Sequence, residues 1–139
     1  MKTLCFLFSL LLGSSFGQAQ NTVRVTAGPF NGLRGIAFIG LYNRADTFGK
    51  PDQVWQGQQI PVKARTVECV FRDVPNGTYA IAVFQDENGN RKLDKGLFGL
   101  PKEHYGFSTN VRPATRPATF EEAQFTLTGQ SLALTIPLN

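Results

Sequence analysis

Apolar and polar residues alternate along several short segments of this chain, and such alternation predicts β-strands with one buried face. It is clearest over residues 23–27, 66–71, 124–128 and 131–138. Two further segments, 35–42 and 77–85, carry apolar or small residues on both faces, which predicts central strands that a second layer approaches closely. Pro137 cannot donate a ladder hydrogen bond, so the last strand is expected to end there or to lie at a sheet edge.

Turn residues separate these segments, as in the Pro-Asn-Gly at 75–77, and no segment has the periodicity of an amphipathic helix. A chain of 139 residues has the size of one domain. We therefore predict an all-β fold, a single antiparallel β-sandwich of about seven strands, immunoglobulin-like or transthyretin-like in type. The repeat RPATRPAT at 112–119 is expected to cross the surface in extended form because of its prolines.

Residues 1–19 have the features of a cleavable secretory signal peptide. Lys2 gives a positive start, residues 4–12 form an apolar run, and the small residues Gly17 and Ala19 have the spacing that signal peptidase cleaves. The run is shorter than the roughly 20 residues that span a bilayer, so we expect no stable membrane anchor after cleavage. The predicted organisation is a signal peptide at 1–19 and a β-sandwich domain at 20–139, located in the periplasm or secreted.

The charge of the chain indicates which kinds of partner to expect, and its cysteines indicate whether a reactive thiol is present. The chain has 14 Lys and Arg against 10 Asp and Glu, a net charge of +4, without a block of five like charges. A nucleic-acid partner is therefore not expected, and the predicted partner is an envelope protein or a glycan. Cys5 leaves with the signal peptide, and Cys69, which shares a strand face with Val67 and Phe71, is expected to be a buried small hydrophobe.

The densest polar cluster is QDENGNRKLDKG at 85–96, which follows the second central strand. Asp86, Asn88, Asn90 and Asp94 stand at relative positions 1, 3, 5 and 9, the spacing of a calcium loop with oxygen ligands. Short oxygen side chains on alternate residues converge on one large cation, whereas Mg²⁺ demands a tighter octahedron. These four residues are the candidate Ca²⁺ ligands, and Glu103 is the nearest carboxylate that could complete the set.

Two positions depart from the calcium loop of a helical EF-hand. Arg91 stands at position 6, where that loop has glycine for a sharp turn, and Leu97 stands at position 12, where it has a bidentate glutamate. No amphipathic helices flank the segment, so a true EF-hand is rejected. A metal-free loop is the alternative, because Asp and Asn bond to their own backbone in turns and tolerate left-handed conformations.

The next segment, GLFGLPKEHYGFS at 96–108, is rich in glycine and aromatic residues. Tyr105 and Phe107 form a candidate ligand surface, which makes a carbohydrate- or peptide-binding protein one alternative; the same rings would otherwise pin the loop onto the sandwich. A second alternative is a small hydrolase that uses Asp86, Glu103 and His104. Because His104 is the only histidine and no set of nucleophile, base and orienting group is visible, we predict no enzyme. The predicted function is a binding or structural module of the cell envelope.

Three segments carry a family resemblance: PNGTYAIAVFQDENGNRKLD at 75–94, GLPKEHYGFS at 99–108 and ATFEEAQF at 118–125. On these motifs the chain resembles the domain of unknown function 2141 family, uncharacterised exported bacterial proteins, over about residues 23–138. The resemblance implies export and a β-sandwich, and it implies no particular activity. Members commonly have histidine where Gln85 stands and glycine where Arg91 stands. The segment at 74–84 is more weakly similar to transthyretin-like and surface-adhesin repeat domains.

Overall fold

The computed structural model describes residues 20–139, and the predicted signal peptide at 1–19 lies outside them. The described chain forms eight strands, one short α-helix and two 3-10 helices. The helix α1 spans Phe120–Ala123, and the 3-10 helices span Pro51–Gln53 and Leu97–Gly99. The strands are β1 (Gln20–Ala27), β2 (Ile36–Tyr42), β3 (Gln56–Pro61), β4 (Val67–Pro75), β5 (Gly77–Asp86), β6 (Tyr105–Phe107), β7 (Gln124–Leu127) and β8 (Leu132–Ile136).

The strands form two sheets that pack against each other. The three-stranded sheet has the order β4-β1-β8, and the five-stranded sheet has the order β3-β2-β5-β6 with β7 also paired to β5. The prediction of an all-β fold with two packed layers is confirmed. The strand β8 ends at Ile136 and lies at a sheet edge, as the proline at 137 predicts.

The prediction of a purely antiparallel sandwich is wrong in one pair. β8 runs parallel to β1, from Val23 opposite Leu132 to Ala27 opposite Ile136. The reason is that β7 belongs to the five-stranded sheet, so the chain crosses to the other sheet before β8 and the two strands are not hairpin partners. The structure also adds β3 and β6 to the segments that alternation predicts, which gives eight strands rather than about seven.

The main core lies between the two sheets. Alternate residues of β1 (Val23, Val25 and Ala27) face alternate residues of the five-stranded sheet, such as Leu41 and Ile81, and all of these side chains are fully excluded from solvent. Cys69 belongs to the same core and is a free thiol, as predicted. The core therefore follows from the period-two pattern of the sequence.

A second apolar cluster covers the outer face of the five-stranded sheet. It includes Tyr42, Ala80, Phe107, Phe120 and Ala123, so that β2 and β5 are buried on both faces. The ring of a residue in the β2–β3 connection, Phe48, has its centroid 5.4–5.9 Å from those of Tyr42, Phe107 and Phe120. The expectation that small residues of β5 admit a second layer is confirmed, since Ala80 is fully buried beneath α1 and its neighbours.

Candidate functional site

The polar loop begins at the last residue of β5, and its first turn is built around one buried carboxylate. Asp86 is 3% exposed. Its Oδ1 accepts hydrogen bonds from the backbone N–H groups of Gly89 (2.8 Å) and Asn90 (3.2 Å), and its Oδ2 accepts one from Arg91 (2.7 Å). The position 1 residue of the candidate calcium loop therefore gathers the backbone of the turn around its own charge.

The other three predicted ligands contact one another. Asn88 Nδ2 donates to Asp94 Oδ2, and Asn90 Nδ2 donates to Asp94 Oδ1 at 2.7 Å. The amide oxygens accept backbone N–H groups two residues further on, Asn88 Oδ1 from Asn90 and Asn90 Oδ1 from Lys92. The structure thus brings Asn88, Asn90 and Asp94 together on the turn that Asp86 closes.

Glu103, which the sequence indicates as a completing carboxylate, lies against the same loop. Its side chain is largely buried, with 7% exposed. Oε1 accepts the N–H of Glu87 at 3.0 Å, and Oε2 accepts the N–H of Asp94 at 3.1 Å. One carboxylate therefore holds both ends of the loop, which is a role that spacing along the sequence does not reveal.

Arg91 adopts a left-handed backbone conformation, which glycine adopts more readily than other residues. Its φ is 60°, in the left-handed region, which costs about 1–2 kcal/mol for a residue with a Cβ atom. The hydrogen bond from its N–H to Asp86 offsets part of that cost. The chain therefore turns sharply at Arg91, as a calcium loop does at the glycine of its position 6.

Gln85, the residue before the loop, links β5 to the segment that precedes β2. Gln85 is fully buried; its Oε1 accepts the N–H of Asn31 at 2.9 Å, and its Nε2 donates to the carbonyls of Asn31 (3.1 Å) and Arg34 (2.9 Å). At the next residue of that segment, Gly35, a Cβ atom would lie 2.2 Å from the carbonyl oxygen of Asp86. The start of β2 therefore packs directly on the start of the loop.

The residues of the hydrolase alternative are not joined by hydrogen bonds between their side chains in the described part of the chain. The carboxylates of Asp86 and Glu103 bond to backbone amides. His104 Nδ1 is buried, has no hydrogen-bond partner among the described residues and lies 3.8 Å from Glu87 Oε1. Residues 20–139 contain no group of three or more His, Cys, Asp and Glu side chains placed to hold a metal ion, and the loop set depends on two asparagines.

A cavity of about 600 Å³ adjoins the loop on the outer face of the five-stranded sheet. Tyr105, which is half-buried, and Phe107, which is buried, both line it. Three further rings line the cavity, those of Phe38, Phe48 and Phe84. They come from three separate segments of the chain, so no single sequence motif indicates them. Phe38 and Phe84 have a signal in the sequence, the apolar second face of the two central strands, whereas Phe48 lies in the β2–β3 connection.

The loop supplies one wall of this cavity through Arg91, Lys92 and Lys95. The phenol of Tyr42 also lines it, and burial, followed by the charge of Asp52, raises the pKa of Tyr42 well above its usual value. Tyr42 therefore stays protonated at neutral pH and adds a neutral polar group to a mainly aromatic surface.

Within residues 20–139, no helix has the length and hydropathy that a membrane span needs.

Comparison with known proteins identifies a family for this chain but no individual relative. No curated protein and no solved structure matches the chain. A family model described as an uncharacterized protein conserved in bacteria (DUF2141) matches residues 25–135. That span is most of the chain, and the protein therefore belongs to the DUF2141 family.

Proposed function

We propose that this protein is an exported, non-catalytic module of the bacterial envelope whose loop Asp86–Asp94 binds a calcium ion. The observation that carries the proposal is the mutual contact of Asn88, Asn90 and Asp94 on a backbone in which Arg91 has a φ of 60°. Oxygen side chains at positions 1, 3, 5 and 9 around a left-handed residue at position 6 form the ligand arrangement of a calcium loop.

The donor set fits a hard cation. An ionised carboxylate accepts about four hydrogen bonds or metal contacts, and those of Asp94 and Glu103 each receive two here. Each therefore retains oxygen lone pairs for a cation. For a cation to bind here, Asn88 and Asn90 would turn their amide oxygens towards it, and each would give up the backbone N–H that this oxygen now accepts.

The role that we propose for the ion is structural. Calcium would offset most of the negative charge of the Asp86, Asp94 and Glu103 carboxylates and hold the loop in place as the wall of the adjoining cavity. A non-catalytic role is supported by the use of the Asp86 and Glu103 carboxylates in backbone hydrogen bonds. The proposed partner is another envelope protein or a glycan.

Thermal denaturation tests the calcium proposal. The parent chain should melt at a higher temperature in Ca²⁺ than in chelator, because a ligand that binds only the folded state stabilises it. At a hundred times the dissociation constant the gain is about 2.7 kcal/mol, which corresponds to a rise of roughly 10 °C. Asp94→Asn keeps the shape and removes the charge, so it should lose most of this rise, and Mg²⁺ should give less than Ca²⁺ in the parent.

The matched control is Glu121→Gln. Glu121 is exposed, and its side chain makes no hydrogen bond within residues 20–139, so this variant should keep the full response to calcium. A parent whose midpoint is the same in calcium and in chelator ends the proposal.

Export is tested separately, by cell fractionation and mass spectrometry of the protein expressed from its full sequence. The proposal rests on the pattern of residues 1–19 and expects a mature chain that begins at Gln20, outside the cytoplasm. An intact chain that begins at Met1 and stays in the cytoplasm contradicts it.

A further inference from the structure

The cavity beside the loop has an aromatic floor. Phe38 and Phe84 stack with their ring centroids 5.2 Å apart and an interplanar angle of 27°. The rings of Tyr105 and Phe107 meet edge to face, with their centroids 5.6 Å apart. Ala82 lies among these rings and leaves room above β5 because its side chain is a single methyl group. The volume of about 600 Å³ lies in the range of sites that bind small organic molecules.

The charged side chains at the rim of the cavity are mainly cationic. Lys50, Arg91, Lys92 and Lys95 line it, and Asp52 is the one acidic residue among the residues that line it. Within the described chain, Arg91, Lys92 and Lys95 form no ion pair with a carboxylate, whereas Arg34, Arg44 and Arg116 each do. Among residues 20–139, these three exposed cations beside an aromatic floor therefore lack a carboxylate at ion-pair distance.

We propose that this cavity binds a small amphiphilic anion, with an apolar body on the rings of Phe38 and Phe84 and an anionic head at Lys92 and Lys95. A cationic ligand would meet repulsion at the rim, and a neutral ligand would gain nothing from the cations. An anion without an apolar body would leave the aromatic floor exposed to water. The proposal goes beyond the calcium site and does not depend on it.

The test uses matched ten-carbon probes, below their aggregation concentrations and in chelator, with affinity measured by calorimetry. Decanoate should bind about three- to tenfold more tightly than decanol, and decyltrimethylammonium should bind more weakly than both, because exposed charge pairs each contribute modestly to binding. Decyl phosphate tests a phosphate head in place of the carboxylate and should also exceed decanol. Acetate, which has the head without the body, should show no binding.

Variants locate the two parts of the site. Lys92→Gln combined with Lys95→Gln should weaken decanoate binding about three- to tenfold and leave decanol binding unchanged, because both side chains are exposed and make no hydrogen bond within residues 20–139. The control, Lys63→Gln with Arg72→Gln, removes two exposed cations that do not line the cavity and should change neither. Ala82→Phe, which fills the floor, should weaken both probes.

Backbone NMR signals give a second readout for the parent. Decanoate should shift the amide resonances of Ala82, Phe84 and Tyr105 more than those of the three-stranded sheet. Equal affinity for decanoate and decanol, equal effects of the two double variants, or shifts confined to the other sheet would each overturn the proposal. Binding of a neutral oligosaccharide such as maltotetraose in place of decanoate would also overturn it and assign the cavity to glycans.

Discussion

The two hydrogen bonds by which Glu103 holds both ends of the loop lead to a specific prediction for Glu103→Gln. The carboxylate accepts one backbone N–H at each end of the loop, from Glu87 and from Asp94. A glutamine has the same shape but replaces one oxygen with an NH₂ group, so one of these N–H donors faces another donor. Losing a hydrogen bond to a charged group and leaving a donor unsatisfied costs about 1–2 kcal/mol at a partly buried position.

Urea denaturation in chelator measures this cost without a contribution from bound metal. With a slope of about 2 kcal/mol per M, the midpoint should fall by roughly 0.5–1 M while the slope stays constant. Hydrogen exchange should show faster exchange of the amide of Glu87 or Asp94, whichever loses its acceptor. Glu121→Gln makes the same chemical change at an exposed position and should leave the midpoint unchanged. An unchanged midpoint together with full protection of both amides would refute the conclusion that Glu103 holds both ends of the loop.

Three further predictions concern other parts of the molecule. The hydrogen bond from Arg116, followed by the one from the backbone of the capping residue before α1, lowers the pKa of Glu122 from 4.5 to about 2. The ionised Glu122 carboxylate therefore contributes fully to the stability of the fold above pH 4.5, and this contribution is lost as the pH falls through 2. NMR of the side-chain carboxyl group should give a titration midpoint near 2, and this midpoint should rise in Arg116→Gln. Burial raises the pKa of Cys69 to about 11. At pH 8 a disulfide reagent should therefore label the native thiol at least about tenfold more slowly than the urea-unfolded thiol, because fewer thiolates form and the higher nucleophilicity of each offsets only part of that loss. Gly35→Ala would place a Cβ atom 2.2 Å from a carbonyl oxygen of β5, at a residue whose φ is 73°. Its control is Gly49→Ala, because Gly49 has a φ of 75° and no atom of the described residues within 4 Å of the added Cβ. In urea denaturation, Gly35→Ala should lower the free energy of unfolding by about 2 kcal/mol more than Gly49→Ala does.

Hydrophobic patterning predicted the centre of the fold better than its edges. β2 and β5 were predictable because both faces of each strand are apolar and both faces are buried. β3 was not, because its sequence is QGQQIP and only Ile60 of this edge strand packs against the core. The parallel pairing of β8 with β1 could not be predicted either. Alternation of apolar residues specifies which face of a strand is buried, but it does not specify whether the neighbouring strand runs parallel or antiparallel.

In the candidate site, features that depend on one short segment were predictable from the sequence, and features that depend on distant segments were not. The convergence of Asn88, Asn90 and Asp94 follows from spacing within one short segment, so the sequence could predict it. The left-handed conformation of Arg91 could not be read from its residue type, since arginine rarely adopts it. The cavity depends on rings from β2, β5 and the segment around Phe48, and only the folded chain shows that these lie side by side.

The direction of β1 determines how the molecule can be attached to a surface. Gln20, at its start, pairs with Pro75 and so lies next to the beginning of β5, whereas Asp86 lies at the far end of that ten-residue strand. At about 3.3 Å per residue, the two points are roughly 30 Å apart along the sandwich. A tether or purification tag joined in front of Gln20 would therefore leave the polar loop facing outward, while one fused after Asn139, whose N–H bonds to Tyr105, would crowd it. Immobilised binding assays should accordingly use the amino-terminal attachment.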